Sequence, residues 1–165
     1  MSLSDRRTFL AGLGLLGLGA CGFQPVLKAG GAARGLQGQI RFNLIESRAG
    51  FVLLEKLEKA FGDGGLNARF QAKTELNFEE QELVLIAATS LTRVTLFGGV
   101  KVAITDTTKD AIVFEDKIRD VVSFTTSAET AVTIASQQDA KDRLVGVLAE
   151  RLILQLNATA ESWAG

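Results

Sequence analysis

Residues 67–79 alternate without a break between mostly apolar and polar side chains. The mostly apolar set is Ala68, Phe70, Ala72, Thr74, Leu76 and Phe78, and the polar set is Arg69, Gln71, Lys73, Glu75, Asn77 and Glu79. Because successive side chains of a β-strand point to opposite faces, this alternation predicts one long strand with a buried face and a solvated face. Such a strand belongs to an antiparallel or mixed sheet, because the strands of a parallel sheet are buried on both faces.

Other segments predict further strands of the same sheet. They are residues 40–45, 94–104 and 112–124. Gly98 and Gly99 interrupt the second of these and predict a β-bulge, since glycine inside a strand often marks one. Residues 106–110 have the composition of a turn, and residues 83–87 predict an extension of the alternating strand beyond a bend.

Two segments have the spacing of helices. In the first, one apolar face is formed by Gly50, Leu53, Leu54, Leu57, Ala60 and Phe61. Ser47 can cap the start of this helix and Gly62 its end. A longer helix is predicted over residues 128–157, because Thr126 and Glu129 match a capping box ahead of it. Its apolar residues recur every four positions, at Ala140, Leu144, Leu148, Leu152 and Leu156.

The predicted order is β-α-β-β-β-α, which indicates the α+β class. We expect a mixed, mostly antiparallel sheet of about four strands, with the two helices packed on one of its faces. The other face, lined by polar residues, remains available to water or a partner. The chain of 165 residues allows a single domain, which we assign to residues 40–165.

The composition excludes several kinds of chemistry. The chain has no His, and therefore no imidazole base or imidazole metal ligand. Its single Cys cannot form an intramolecular disulfide or a thiolate zinc cluster. The net charge of −1 provides no overall positive field for nucleic acid. These absences remove several enzyme classes, although a hydrolase could still use Ser or Thr with Lys or a carboxylate. Our expectation for the chain is no metal, no cofactor, no nucleic-acid partner and no enzymatic activity.

The first 20 residues have the layout of a bacterial secretory signal. Arg6 and Arg7 supply positive charge, and residues 9–18 form an apolar stretch too short to span a bilayer. The stretch ends in Leu-Gly-Ala-Cys, which resembles the lipobox of bacterial lipoproteins. We expect cleavage between Ala20 and Cys21, a lipid on Cys21, and a flexible tether over residues 21–39.

The export route has two interpretations. Residues 5–10 resemble the twin-arginine motif, which directs export of folded proteins. The alternative is that Arg6 and Arg7 only supply the charge that any secretory signal needs. Gly22 follows the lipidated position, where Asp would resemble an inner-membrane retention signal, so the sequence favours the outer membrane.

Several segments also resemble one family of bacterial lipoproteins. Residues 20–26, which join the lipobox to Gly-Phe-x-Pro, resemble the start of its mature members. The similarity continues at residues 92–93, 105–106, 123–125, 135–144 and 148–156. This is the lipopolysaccharide-assembly lipoprotein family, of the LptE type, and the element order agrees with it along the mature chain. The sequence departs from the family at Leu27, where the family often carries Tyr.

The resemblance implies a function in the outer membrane. Members of this family sit as a plug inside a large outer-membrane β-barrel, help that barrel fold, and assist delivery of lipopolysaccharide to the cell surface. The implied partners are that barrel and lipopolysaccharide, and the implied location is the outer membrane, lipid-anchored and facing the periplasm. The alternative function is that of a free-standing periplasmic ligand-binding or scaffold lipoprotein, which needs no barrel.

Candidate ligand-binding residues lie at polar strand positions. Arg69, Lys73, Arg93 and Lys101 could form a basic strip that contacts the phosphates of lipopolysaccharide. Lys117 and Arg119 are further candidates of the same kind. For any one of these residues the simpler interpretation is favoured, namely a solvated strand face with cross-strand pairing to Glu75 and Glu79.

Overall fold

The computed structural model describes residues 35–83, 92–126 and 130–165. The elements are β1 (Ile40–Phe42), α1 (Arg48–Phe61), β2 (Phe70–Leu83), β3 (Thr92–Asp106), β4 (Ala111–Thr126) and α2 (Thr130–Trp163). The predicted α+β class and the order β-α-β-β-β-α are confirmed. The signal sequence, Cys21, the strand extension beyond Leu83 and Glu129 of the capping box lie outside the described residues.

The four strands form one mixed sheet in the order β1-β2-β3-β4. The β1 strand is parallel to β2, and the pairs β2–β3 and β3–β4 are antiparallel. The parallel pair exists because α1 carries the chain from the end of β1 back to the start of β2, as a parallel connection requires. Each of the two antiparallel pairs joins strands that follow one another in the sequence.

The alternation in the sequence maps directly onto the two faces of the sheet. Phe70 and Ala72 are buried under the helices, whereas Gln71, Lys73 and Glu75 are exposed on the opposite face. The core therefore lies between the inner face of the sheet and the helices. Its fully buried large side chains include Ile40, Leu53, Leu57, Phe61, Leu96, Ile104, Leu144, Leu148, Leu152 and Leu156.

The first helix begins and ends where the sequence predicts. The Ser47 hydroxyl accepts a hydrogen bond from the Gly50 N–H at 3.0 Å. At the other end, Gly62 adopts a φ of 80° and its N–H donates to the Glu58 carbonyl at 2.7 Å. Because that backbone conformation favours glycine, Gly62 ends the helix without strain. The last part of the predicted tether, residues 35–39, lies against this end, where Leu36 is buried.

The second helix is longer than predicted and ends at Trp163. The leucines that recur every four residues are buried along it, as expected. Trp163 packs edge-on against Phe70 with ring centroids 5.3 Å apart, and lies 5.7 Å from the ring of Phe114. The end of the helix is thereby held against β2 and β4. Within the described part of the chain, no helix is long and apolar enough to cross a bilayer.

The prediction of a β-bulge at Gly98 and Gly99 was wrong. Gly98 pairs regularly with Phe78 on one side and Asp120 on the other, and the irregularity lies instead at Ile104/Thr105. A Cβ on Gly98 would lie 2.6 Å from Leu144 Cδ2. The glycine is therefore needed for the close approach of α2 to the sheet, a requirement that the strand pattern alone does not distinguish from a bulge.

The short β1 strand is continued by a side chain. Asn43 N–H donates to the Ala72 carbonyl at 3.1 Å. Its side-chain Oδ1 accepts from the Thr74 N–H at 2.5 Å and from the Thr74 hydroxyl at 2.9 Å, and Nδ2 donates to the Thr74 carbonyl at 3.2 Å. These bonds satisfy the polar groups of Thr74, which is buried.

Candidate functional site

The candidate site is the outer sheet face, defined as the face of β1–β4 opposite the two helices. Its basic side chains are Arg41, Lys73, Arg93, Lys101, Lys117 and Arg119, and its acidic side chains are Glu75, Glu79 and Glu115. Basic residues are twice as numerous as acidic ones on this face, although the whole chain carries a net charge of −1. The outer sheet face therefore has a local positive charge that the overall composition conceals.

Four of these residues form a basic cluster, namely Lys73, Lys101, Lys117 and Arg119. In the strand register Lys101 is opposite Lys117 on β4 and opposite Glu75 on β2. Arg119 and Lys73 occupy the diagonal positions beside Lys101, within reach of long side chains. Two lysines directly opposite each other repel, which is unfavourable in an isolated sheet but suits a surface that binds an anion.

The cluster is only partly neutralised by its neighbours. Lys73 Nζ lies 3.1 Å from Glu75 Oε1, but both side chains are more than half exposed and the pair is screened by water. The side chains of Lys101, Lys117 and Arg119 make no hydrogen bond or ion pair with the described residues. These three cations are consequently available to an external ligand.

Arg69 has a different role from the one its alternation suggested. Its Nε and Nη2 donate to Asp106 Oδ2 at 3.1 and 2.8 Å. Its Nη1 and Nη2 donate to the carbonyls of Ala164 and Gly165 at 3.3 and 3.2 Å, and its guanidinium lies 4.8 Å from the centre of the Phe70 ring. Arg69 therefore joins the β2–β3 end of the sheet to the chain that follows α2.

The electrostatics around Asp106 explain that placement. Asp106 is fully buried, and its hydrogen bonds with Arg69 and then with Thr108 hold the pKa of this carboxyl well below its usual range, against the opposing effect of burial. The Thr108 hydroxyl donates to Oδ1 at 2.6 Å and the Thr108 N–H at 2.9 Å. A buried charge needs such partners, and Arg69 supplies the opposite charge.

Arg93 lies at the far end of the outer sheet face. It is opposite Thr125, eight residues along β3 from Lys101, which corresponds to about 26 Å. The structure thus brings together Lys73 and Lys101 and separates Arg69 and Arg93 from them. The register adds Lys117 and Arg119, which alternation on β4 placed on the same face but could not place opposite particular residues of β3.

An apolar pair borders the basic cluster. Phe97 and Val121 are directly opposite each other on β3 and β4, with exposed fractions of 39% and 46%. They are the next outer-face pair beyond Gly99 and Arg119. Exposed apolar side chains beside a cationic cluster give the outer sheet face an amphipathic character, which can bind a ligand with an anionic and an apolar part.

A shallow groove lies at the other border of the cluster. It has a volume of about 310 Å³ and is lined by Arg41, Phe42, Asn43, Gln71, Ala72, Lys73 and Thr105. In the described ranges, no group of three or more His, Cys, Asp or Glu residues could hold a metal ion. What the arrangement offers chemically is charge-assisted hydrogen bonding to an anion across an open surface.

A mixed four-stranded sheet with two helices on one face is the fold of several bacterial lipoproteins of known structure. A protein described as a lipoprotein from Caulobacter crescentus has a TM-score of 0.62 and 22% identity, over 79% of this chain and 96% of that chain. Rare lipoprotein B from Shewanella oneidensis has a TM-score of 0.54 and 18% identity, over 74% and 96%. A minor lipoprotein from Acinetobacter baumannii has a TM-score of 0.53 and 19% identity, over 73% and 92%.

These similarities establish the shared fold. No protein-family model matches the chain, and no curated protein matches its sequence. The structural match covers 92–96% of each of these three chains.

Proposed function

We propose that this chain is an exported bacterial lipoprotein, cleaved after Ala20 and lipidated on Cys21. Two independent observations support the proposal. The first 21 residues have the layout of a lipoprotein signal that ends in Leu-Gly-Ala-Cys. The domain that follows has the fold of three bacterial lipoproteins from different organisms.

We further propose that the protein is a non-enzymatic plug and assembly factor of the outer-membrane β-barrel that exports lipopolysaccharide. The observation that carries this proposal is the outer sheet face, which is polar, net positive and covered by neither helix. A polar face suits the wet lumen of a large barrel. A lipid on Cys21 would keep the domain at the membrane, facing the periplasm, while the following segment allows it to reach its partner.

The proposed ligand contact is with lipopolysaccharide, which carries phosphates and acyl chains. Lys101, Lys117 and Arg119 would bind a phosphate through charge-assisted hydrogen bonds. Phe97 and Val121 would contact the apolar part of the same molecule. Because this contact requires no bond to be made or broken, the residues act by positioning the ligand during transfer.

The partner is tested by purification of the tagged protein from detergent-solubilised outer membrane, followed by mass spectrometry. We expect a large β-barrel protein in stoichiometric amount that remains bound at high salt. A lipoprotein that purifies alone under all of these conditions would contradict the plug function. It would leave a free-standing ligand-binding lipoprotein as the function to test.

The ligand contact is tested by charge reversal of the basic cluster. Lys101→Glu combined with Lys117→Glu should reduce binding of purified lipopolysaccharide by tenfold or more, since two cations become anions beside the ligand phosphate. The matched control is Lys59→Glu, an exposed residue of α1 on the other side of the molecule, which should leave binding unchanged. Equal affinity of the double variant and the control would remove the outer sheet face as the binding site.

A further inference from the structure

The free edge of the sheet at β4 is unusually long. The strand has 16 residues, Ala111–Thr126, and it is the last strand in the order β1-β2-β3-β4, with no strand beyond it among the described residues. An open edge of this length presents a row of backbone donors and acceptors to any other extended chain. Such an edge is a natural site for pairing with a second copy of the same protein.

The hydrogen bonds of the sheet fix which residues of β4 face this edge. Phe70 N–H donates to Gln39 O on the β1 side, so the even-numbered residues of β2 direct their backbone groups toward β1. In an antiparallel pair, opposite residues either bond each other or both face away. With the observed registers, the odd-numbered residues of β2 form backbone hydrogen bonds with odd-numbered residues of β3. The even-numbered residues of β3 are then left to form backbone hydrogen bonds with even-numbered residues of β4. The odd-numbered residues from 115 to 123 therefore direct their backbone N–H and C=O groups toward the free edge, while their side chains lie on the outer sheet face.

Two of those edge-facing N–H groups are already occupied by side chains. Lys117 N–H donates to Asp116 Oδ1 at 2.7 Å, and Val121 N–H donates to Asp120 Oδ1 at 2.8 Å. The backbone N–H of Arg119, which lies between these two residues, faces the edge by the same alternation. An incoming strand pairs with every second residue, so it would meet a blocked donor on both sides of Arg119.

An ion pair with the helix that covers the inner face of the sheet holds Asp120 in this position. Arg151 of α2 places Nη2 2.9 Å from Asp120 Oδ2, and the Asp120 side chain is only 15% exposed. No hydrogen bond from the described residues reaches Oδ2, so the ion pair with Arg151 alone compensates this oxygen. The ion pair therefore fixes the carboxylate whose other oxygen accepts the Val121 N–H.

We propose that Asp116 and Asp120 are edge-blocking residues that prevent a second copy of this chain from extending the sheet through β4. Each does so by occupying one backbone donor of the edge, the N–H of Lys117 or of Val121. This function is separate from lipopolysaccharide binding, because both aspartates alternate onto the inner side of β4 and not onto the outer sheet face.

The two hydrogen bonds are tested first in the unaltered full-length protein, by hydrogen exchange of single amides read by NMR. Relative to unstructured-peptide rates, the amides of Lys117 and Val121 should exchange roughly fivefold more slowly than that of Arg119. Asp116→Ala should remove the protection of Lys117 and leave that of Val121. Equal exchange at all three amides would overturn the proposal without any variant.

Self-association is tested with two double variants of the full-length protein in detergent. Asp116→Ala with Asp120→Ala should form dimers whose fraction rises with concentration in sedimentation. Mixed ¹⁴N- and ¹⁵N-labelled copies should give Lys117–Lys117 cross-links between copies. Asp116→Asn with Asp120→Asn keeps the acceptor oxygens and should remain as monomeric as the unaltered protein.

The control for a mere loss of charge is Glu115→Ala, which removes a carboxylate from the same strand without removing a hydrogen bond. It should not self-associate. Dimers of the Asn double variant, or of the control, would show that charge and not the capped donors governs the edge. A monomeric Ala double variant with intact secondary structure would show that the edge needs no blocking residues; either result overturns the proposal.

Discussion

Asp106 is a buried carboxyl whose pKa is lowered by the folded structure. Its pKa is held low first by the hydrogen bond from Arg69 and then by those from Thr108. A carboxyl with a lower pKa in the folded than in the unfolded chain stabilises the fold above its unfolded pKa of about 3.9. That contribution is lost as the pH falls through the folded value.

We therefore predict that Asp106→Asn lowers the unfolding midpoint at pH 7, and that the difference from the unaltered protein narrows below about pH 4. Thermal unfolding followed by circular dichroism at pH 7 and pH 3 measures it. The control is Asp110→Asn, an exposed residue of the same turn with a φ of 47° that Asn tolerates. A gap that stays constant with pH would contradict the assigned role of Arg69.

Gly98 and Gly146 differ in the space that each leaves for an added methyl group. A methyl group on Gly98 would meet two buried leucines, at 2.6 Å from Leu144 and 3.3 Å from Leu148, so Gly98→Ala should cost about 1–3 kcal/mol of unfolding free energy. On α2, a methyl group on Gly146 would lie 3.5 Å from Lys56, so Gly146→Ala should stabilise by about 0.5–1 kcal/mol. Urea unfolding of both variants measures the two signs; a neutral Gly98→Ala would show that Leu144 can move aside.

At the scale of elements, the long alternating strand and the capped first helix could be predicted because their signals are local. Ser47 and Gly62 lie at the predicted ends of α1, and the alternation around Phe70 gave the correct buried face. The parallel position of β1 could not be predicted, because three residues carry too little pattern to choose a neighbour. Gly98 was misinterpreted because the reason for it, Leu144, lies 46 positions along the chain on another element.

The leucines of α2 allow a direct test of its buried face. Leu148 is fully buried, whereas Leu154 on the same helix is 69% exposed. Leu148→Ala should cost about 2–5 kcal/mol because it leaves a cavity in the core. Leu154→Ala should stay within about 0.5 kcal/mol of the unaltered protein. Chemical denaturation of both variants decides it, and similar costs would mean that the exposed leucine is covered in solution.

The candidate site was predictable only in part, because a surface cluster depends on register between strands. Lys73 and Lys101 were placed on the correct face by alternation alone. Their proximity to Lys117 and Arg119 comes from the pairing of β3 with β4, which no single strand encodes. Arg69 shares the alternation of Lys73, yet the buried carboxylate of Asp106 determines its position.

At the scale of the whole molecule, the chain contains its own reporter of folding. Trp163 is the single Trp, there is no Tyr, and its side chain is 5% exposed at the far end of α2. It packs on Phe70 of β2 and Phe114 of β4, the two strands that flank β3, and it belongs to the hydrophobic core of the described residues. The environment of this one ring therefore depends on the packing of α2 against two separate strands of the sheet.

We predict that urea unfolding followed by Trp163 fluorescence has the same midpoint as unfolding followed by far-ultraviolet circular dichroism. The emission should shift to longer wavelength as the ring becomes solvated. The circular dichroism of the same samples is the internal control, because it reports helices and strands throughout the chain. A fluorescence midpoint at lower urea would show that the end of α2 detaches before the sheet unfolds.

The side chain of Asn43 has a consequence for the path of the chain. A side-chain amide carries the same carbonyl and N–H groups as a peptide unit, and its bonds to Thr74 make it a surrogate for the next residue of β1. The main chain can therefore leave the sheet while the hydrogen-bonded ladder continues. Only four residues then separate Asn43 from the start of α1 at Arg48. A strand of three residues suffices to anchor the parallel edge, because one amide substitutes for chain length.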